Sequence, residues 1–223
     1  MQDKSTDKIQ LMFDQISARY DFFNDVISCF THRYVKKKAL KALCVPPGAC
    51  VLDLCCGSGD LGKILKKMQP SCTVLGADIS EKMLDIAKNK NPNIEYSIQN
   101  AENLDFAEDT FDFVVMGFGL RNIEHPETAL KEVLRVLKPG GKFLQLDFGK
   151  KNIFSKIFDK FTLSCVKIFT NDIAPYNYLI NSKNEFPPPE ELAQMYKSVG
   201  FKDTNASCLL FDVISYQIAK KIR

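Results

Sequence analysis

The sequence predicts an α/β fold in which a doubly wound, mostly parallel sheet carries helices on both faces. From about residue 50 onward, short strand-like segments alternate with segments of helical periodicity, which is typical of a parallel sheet. The strand-like segments are largely apolar, as expected for strands that are buried on both faces. A length of 223 residues favours one domain with a small appendage.

Seven segments are predicted as strands. Two of them close the chain between residues 201 and 222, and the other five alternate with helices. These five are CVLDLC at 50–55, CTVLGA at 72–77, IEYSI at 94–98, FDFVVM at 111–116 and KFLQLD at 142–147. The helical stripe before the fifth strand consists of Leu130, Val133, Leu134 and Leu137, and it ends at Pro139-Gly140-Gly141.

Helices are also predicted on both sides of this core in the chain. Ile9, Met12, Phe13 and Ile16 form one helical stripe, and a second helix precedes Pro46-Pro47-Gly48. We therefore predict an N-terminal helical cap at residues 1–47 and a main domain at 48–223. Within the main domain we predict a Phe-rich, substrate-side insertion at about 150–188, followed by a helix that closes at Gly200.

Composition limits the classes of function. Thirty Lys and Arg against 27 Asp and Glu leave a net charge of +3, too small to indicate nucleic acid as a partner. The sequence has no apolar span of membrane length and no apolar signal region at its start, so we expect a cytoplasmic protein. Eight cysteines without a CxxC pair indicate reduced thiols. No metal site is predicted, because His32 and His125 lack a second ligand at helical spacing.

The turn DLCCGSG at residues 53–59 is the first candidate for a binding site. It lies between a predicted strand and a predicted helix, so that its backbone N–H groups can face a ligand. Together with Gly62, the glycines of the turn also satisfy GxGxxG, and Asp78 follows the second strand. A nicotinamide-dependent oxidoreductase is therefore an alternative for this turn.

Asp53 favours a cationic ligand over a phosphate. Its carboxylate is predicted at the polar end of the strand, where it would repel a pyrophosphate. It would attract the ammonium and sulfonium groups of a ligand such as S-adenosylmethionine. The alternative is that Asp53 only orders the turn by accepting hydrogen bonds from backbone N–H groups.

Seven longer motifs cover nearly the whole chain: MFDQISARYDFFNDVIS, VLDLCCGSGDL, ADISEKML, NAENLDF, FGLRNIEHPETAL, VLKPGGKFLQLDF and APYNYLINSKNEFP. In these motifs the chain resembles the ubiquinone and menaquinone biosynthesis C-methyltransferases, a branch of the class I S-adenosylmethionine methyltransferases. The resemblance implies the Rossmann-like class I fold, with a seven-stranded sheet whose last strand is antiparallel. It also implies S-adenosylmethionine as the cofactor.

The resemblance further implies a set of cofactor contacts. These are Gly57, Ser58 and Gly59 in the turn, Asp78 at the ribose, Asn100 and Ala101 at the adenine, and Gly117 at the border of the site. All of them follow the ends of predicted strands, where ligands bind in open α/β sheets.

Methylation of a quinol at carbon needs a phenolate, whose charge a cation can stabilise, and then the loss of the ring proton. Arg121 in FGLRN is the candidate cation, with proton removal through water because an arginine is a poor base. Asn122 would orient Arg121 or that water, and Tyr20 would hydrogen-bond the quinol hydroxyls. The alternatives are a bridging role for Arg121 and a packing role for Tyr20.

The resemblance favours a demethylated polyprenyl quinol as substrate, with demethylmenaquinol preferred over a benzoquinol precursor of ubiquinone. A polyprenyl tail requires an apolar approach, and the helical face at 153–169, which includes Phe154, Phe158 and Phe161, is a candidate for tail or membrane contact. Packing on the sheet is the alternative for this face. We expect peripheral, transient contact with the inner face of a membrane. A homodimer is a further possible assembly.

Overall fold

The computed structural model describes residues 4–170 and 173–222. One sheet of seven strands runs through the molecule in the order β3-β2-β1-β4-β5-β7-β6. The strands are β1 (Cys50–Leu54), β2 (Thr73–Asp78), β3 (Glu95–Ile98), β4 (Phe111–Gly117), β5 (Leu137–Phe148), β6 (Lys202–Leu209) and β7 (Ile214–Lys220). β1 to β5 pair in parallel, whereas β7 runs antiparallel to both of its neighbours, β5 and β6. The predicted mostly parallel sheet with an antiparallel last strand is confirmed.

Nine α-helices surround the sheet within the described residues. They are α1 (Thr6–Ile16), α2 (Tyr20–Ile27), α3 (Thr31–Leu43), α4 (Asp60–Met68), α5 (Glu81–Lys90), α6 (Pro126–Val136), α7 (Ile153–Phe169), α8 (Ala174–Glu185) and α9 (Pro189–Val199). Short 3-10 turns at Ser17–Arg19 and Leu120–Asn122 complete the chain. Residues 1–3 of the predicted cap, residues 171–172 of the predicted insertion and residue 223 lie outside the described part.

The fifth strand begins earlier than the sequence predicts. Leu137, taken as the last residue of a helical stripe, has extended backbone and pairs with Phe111 of β4. The register shifts before Phe113, which faces Lys142. An apolar residue completes a helical stripe and begins a buried strand equally well, so periodicity alone does not place this boundary.

Apolar residues fill both faces of the sheet. Leu52 and Leu54 of β1 belong to one core cluster with α6 and α9, while Val51 belongs to another with α3 and α4. Four residues of α3 are almost fully buried in the second cluster: Val35, Ala39, Leu40 and Leu43. α3 therefore packs on the sheet, and the division into a cap at 1–47 and a main domain stays a prediction.

A third, smaller cluster lies outside these two layers. Phe23 of α2 packs on Tyr176 of α8, with 4.7 Å between the ring centroids, and Val166 of α7 joins them. α7 begins with a capping box, in which Asn152 and Ser155 bond each other's backbone N–H groups. The cluster joins α2, α7 and α8 beside the carboxyl ends of β1, β4 and β5, and this leaves a cleft between them and the sheet.

Candidate active site

The turn after β1 has an unusual backbone. Cys55, Gly57 and Gly59 all have positive φ, of 55°, 54° and 80°, before α4 begins at Asp60. Glycine adopts these angles without steric cost. The Gly57 N–H donates to the Asp78 carboxylate at 2.8 Å, so that the end of β2 supports the turn directly.

Two cavities open at this edge of the sheet. The first, of about 710 Å³, lies beyond the ends of β1, β2, β3 and β4 and is covered by α1. The second, of about 1940 Å³ including its open mouth, lies among α2, α3, α7 and α8. Five residues line both cavities and form what we call the shared wall: Tyr20, Cys55, Gly57, Gly117 and Phe118.

The first cavity brings together most of the predicted cofactor residues. Asp78, Asn100, Ala101 and Gly117 line it with Gly57. Burial raises the pKa of the Asp78 carboxyl, against hydrogen bonds from the N–H groups of Ser80 and Gly57. Each carboxylate oxygen has a second lone pair, so this side chain can still accept a bond from a ligand hydroxyl.

Asp53 lies elsewhere and lines neither cavity. It is 1% exposed, and its carboxylate accepts a 2.8 Å hydrogen bond from the Gly62 N–H in the first turn of α4. Burial raises its pKa to about 7. The structure thus shows Asp53 ordering the turn, and a cofactor contact by Asp53 stays a prediction. The strand points this side chain towards α4, and a sequence does not show which face of a doubly covered strand meets the ligand.

Ser58 and Gly59 do not line the first cavity either. The Ser58 hydroxyl donates to Asp21 at 2.6 Å and lines the second cavity, with Lys90 at 3.2 Å. A Cβ at Gly59 would lie 2.8 Å from the Tyr96 hydroxyl, so Gly59 permits close packing on β3. A cofactor contact by Ser58 or Gly59 stays a prediction.

Arg121, Asn122 and Tyr20 meet around the shared wall. The Arg121 guanidinium lines the second cavity and donates to the Phe118 carbonyl at 2.6 Å, and the Asn122 amide donates to the same oxygen at 3.3 Å from the side of the first cavity. Phe118 itself has φ of 61°, which is rare for a residue with a side chain. Tyr20 lies beside Gly57 at this wall, since a Cβ at Gly57 would be 4.0 Å from the Tyr20 ring.

The structure adds charged residues that the sequence did not single out. Asp147 at the end of β5 pairs with Arg121 at 2.9 Å, and Lys183 of α8 pairs with Asp159 of α7 at 2.6 Å. Lys183 also lies 5.7 Å from the centre of the Phe148 ring. An acidic residue at the carboxyl end of a predicted strand was the available signal for Asp147. The Lys183–Asp159 pair joins two helices that are distant in the sequence, so no local sequence pattern indicates it.

A second polar group lies on the opposite side of the second cavity. Lys36 of α3 pairs with Asp60 at 2.8 Å, and Lys90 bridges Asp60 and Asp21. Burial opposes ionisation of Asp60, yet the two lysines hold its pKa well below the usual range. This network joins α2, α3, α4 and α5, so it fixes the helices around the turn.

The first cavity fits S-adenosylmethionine. Gly57 leaves open the space towards Tyr20 that a side chain would occupy. Three acids, Asp78, Glu102 and Glu124, line the cavity, which suits a cationic ligand and opposes a pyrophosphate. In the structure, the acidic charge that favours a cationic ligand therefore comes from these three residues, whereas the sequence analysis had assigned it to Asp53.

Comparisons with known proteins agree with this fit. A family model described as the ubiE/COQ5 methyltransferase family matches residues 1–221. The ubiquinone/menaquinone biosynthesis C-methyltransferase UbiE of Hydrogenovibrio crunogenus is 36% identical over 207 residues, which cover 87% of this chain and 82% of that protein. The mitochondrial 2-methoxy-6-polyprenyl-1,4-benzoquinol methylase of Caenorhabditis elegans is 34% identical over 230 aligned residues, covering 97% of this chain and 80% of that protein.

Solved structures show the same fold. A SAM-dependent methyltransferase from Thermotoga maritima superposes with a TM-score of 0.74 at 21% identity, covering 96% of this chain and 99% of that one. Phosphoethanolamine N-methyltransferase 2 of Haemonchus contortus, solved in complex with S-adenosyl-L-methionine, gives a TM-score of 0.67 at 16% identity, covering 95% of this chain and 60% of that one. At these identities the similarity supports the class I fold.

Proposed function

Because the chain belongs to the ubiE/COQ5 methyltransferase family, we propose that it methylates a ring carbon of a demethylated polyprenyl quinol, with demethylmenaquinol as its substrate. It is an S-adenosylmethionine-dependent C-methyltransferase of quinone biosynthesis. The proposal concerns the quinol itself, the residues that act on it and the surface from which it enters.

The observation that carries the proposal is the shared wall. It separates an acid-lined cavity that fits the cofactor from a larger cavity with mostly apolar lining. The cofactor supplies a methyl group on a positively charged sulfur. Gly57 and Gly117 have no side chains to block transfer across this wall, and holding the two reactants in fixed cavities can remove about 7–11 kcal/mol of barrier.

The second cavity suits a long hydrocarbon tail. Aromatic and aliphatic side chains from α7 and from the loop between β6 and β7 line it: Phe154, Ile157, Phe161, Leu210 and Phe211. Phe154 and Phe211 stack with 4.6 Å between ring centroids. Burial of a prenyl tail here would contribute roughly 25 cal/mol per Å² of apolar surface.

The ring of the quinol would lie beside Arg121. Asp147 holds the guanidinium in place, and its positive charge would stabilise the phenolate that activates the ring carbon. Tyr20, which lines both cavities, can hydrogen-bond a quinol hydroxyl, and Asn122 can position a water at the shared wall that removes the ring proton. The Asn122 Oδ1 atom is buried without a hydrogen-bond partner among the described residues, so it is free to accept one.

Two phenylalanine rings support the choice of a naphthoquinol. The Arg121 guanidinium carbon lies 5.8 Å from the Phe118 ring centre and 5.2 Å from that of Phe148. A two-ring aromatic head offers these side chains a larger face than a single ring does. The relatives include a benzoquinol methylase, so a benzoquinol precursor of ubiquinone is the second candidate.

Substrate competition with purified protein tests the proposal. Chemically reduced demethylmenaquinol and a demethylated polyprenyl benzoquinol would be offered together with labelled cofactor, and the products resolved by mass spectrometry. We expect methylated naphthoquinol to predominate. Predominance of methylated benzoquinol would transfer the assignment to the ubiquinone precursor, and absence of both products would contradict the proposal. In cells that lack the protein, the demethylated naphthoquinone should accumulate.

The mouth of the second cavity supports action at a membrane surface. Among the helices of the described residues, none has both the length and the apolar character needed to cross a bilayer. Phe154 and Phe211 are nevertheless 45% and 74% exposed at this mouth, with Lys150 and Lys156 nearby in sequence. Exposed aromatic residues beside basic ones are typical of interfacial contact. The homodimer stays a prediction, which light scattering can check.

A further inference from the structure

One positive charge stands out in the first cavity. Among the described residues that line it, the acids are Asp78, Glu102 and Glu124, and Lys4 is the one basic side chain. S-adenosylmethionine carries two positive groups and one negative group, its α-carboxylate. We propose that Lys4 binds this carboxylate and so fastens the N-terminal helix α1 over the bound cofactor.

The position of Lys4 along the cavity agrees with this role. Its ammonium interacts electrostatically with Glu185 of α8, with Arg121 beyond the end of β4 and with Asp147 near the end of β5. Asp78 and Asn100 lie on the other side of β1, at the ends of β2 and β3. With the ribose at Asp78, the cofactor would extend across β1, and its amino-acid end would face the side on which Lys4 lies.

The elements around Lys4 already form a cover. Thr6, Ile9 and Phe13 of α1 line the same cavity, and Asp14 accepts a 2.5 Å hydrogen bond from Ser80 at the start of α5. α1 is therefore attached to the main domain at its carboxyl end. Binding of the cofactor carboxylate by Lys4 would attach its amino end, so that both ends of the helix are held while the cofactor is bound.

The local charges leave room for an anion. Burial lowers the pKa of Lys4, and the Arg121 guanidinium acts in the same direction, while Glu185 and Asp147 oppose them. A carboxylate delivered by the cofactor would favour the charged form of Lys4. The bond would then be charge-assisted on both sides, which makes it stronger than a neutral hydrogen bond.

Two ligands that differ in the amino-acid part give a sharp test. S-adenosylhomocysteine carries the carboxylate, whereas 5′-methylthioadenosine retains the adenosine and the sulfur without it. Calorimetry should show that Lys4→Met weakens S-adenosylhomocysteine about tenfold to a hundredfold, as expected for loss of a hydrogen bond between charged groups. Binding of 5′-methylthioadenosine should be unchanged, which also shows that the variant is folded.

Lys8→Met provides the matched control, because Lys8 is an exposed lysine of α1, close to Lys4 in the chain, and does not line the cavity. It should bind both ligands as the wild-type protein does. Equal weakening of both ligands by Lys4→Met would overturn the proposal by showing a role in folding α1 alone, and so would unchanged binding of both. No quinol is used, so the outcome is independent of the substrate assignment.

Discussion

The buried carboxylate of Asp147 lies 2.9 Å from the guanidinium of Arg121, and the two side chains come from elements 26 residues apart in the chain. Asp147 is fully buried and also accepts a 2.8 Å hydrogen bond from the Phe148 N–H. Burial raises its pKa, while Arg121 and the backbone bond oppose that rise. Asp147 therefore fixes the position of the Arg121 guanidinium, whose positive charge faces the second cavity.

Removal of Asp147 should cost stability. Asp147→Ala leaves a buried guanidinium without its carboxylate, and breaking a buried pair in this way typically costs about 3–5 kcal/mol. Urea denaturation measures the free energy of unfolding. Asp109→Ala, which removes the more exposed partner of Lys221, should cost no more than about 1 kcal/mol. Equal losses in the two variants would contradict a special role for the buried pair.

Loss of Arg121 should affect turnover more than cofactor binding. The side chain lines the second cavity and not the first. Without a cation beside the forming phenolate, we expect Arg121→Ala to lower kcat about 10²–10³-fold, the range found for removal of one stabilising donor. Affinity for S-adenosylhomocysteine should stay near the wild-type value. Arg33→Ala, at an exposed arginine outside both cavities, serves as the control.

Asp78 should have the opposite profile. Its carboxylate lines the first cavity and supports the Gly57 N–H, so Asp78→Ala removes a ligand acceptor and a turn contact together. We expect calorimetry to show at least about tenfold weaker S-adenosylhomocysteine binding, from hydrogen bonds worth about 1.5–3 kcal/mol. Asp78→Asn retains one acceptor oxygen and should lose less. Asp85→Ala, at an exposed position of α5, should bind normally. Full affinity in Asp78→Ala would remove Asp78 from the site.

Asp53 should make stability fall as pH rises. Its pKa is about 7 in the folded protein against 3.8 for an unperturbed carboxyl, so folding favours the protonated form. Its contribution is complete below about pH 4 and is lost progressively as pH rises through 7, at up to about 1.4 kcal/mol per unit. Asp53→Asn has no proton to lose. The difference between the two free energies of unfolding should shift from about pH 4 to 7 and level off above that, and a constant difference would refute the assignment.

The cavity mouth should determine binding to lipid. Phe211→Glu places a charge at an exposed apolar position beside Phe154 and should reduce cosedimentation with anionic vesicles several-fold, because it removes apolar area and adds repulsion. Ile98→Glu changes a comparably exposed residue at the edge strand β3 and should leave vesicle binding unaltered. If both variants bind as the wild-type protein does, this mouth is not the membrane contact.

The sequence predicted the fold well wherever a single hydrophobic periodicity covered a whole helix or strand. The Phe-rich segment predicted as helical at 153–169 is α7, because its apolar face and its Asn152 cap are both local features. Leu137 was placed in the wrong element, since a buried strand continues directly from the helix.

The sequence could predict those site residues that follow strands of the parallel sheet, because the carboxyl ends of these strands meet at one edge. Asn100 and Ala101 follow β3, Gly117 ends β4, and all three line one cavity, as the topology requires. The pairs Arg121–Asp147 and Lys183–Asp159 depend on contacts between distant segments. The contact of Asp53 with α4 depends on which way one strand faces, and the sequence carries no signal for that.

The two cavities have different entrances, and this affects the order of events at a bilayer. α1 covers the first, whereas α7 and Phe211 border the second. If the proposed docking on a membrane holds, spent cofactor would leave on the aqueous side while a prenyl chain would stay among the lipids. An enzyme molecule docked on a vesicle should complete many cycles before it detaches, so its rate at saturating quinol would be limited by the renewal of its water-soluble reactant.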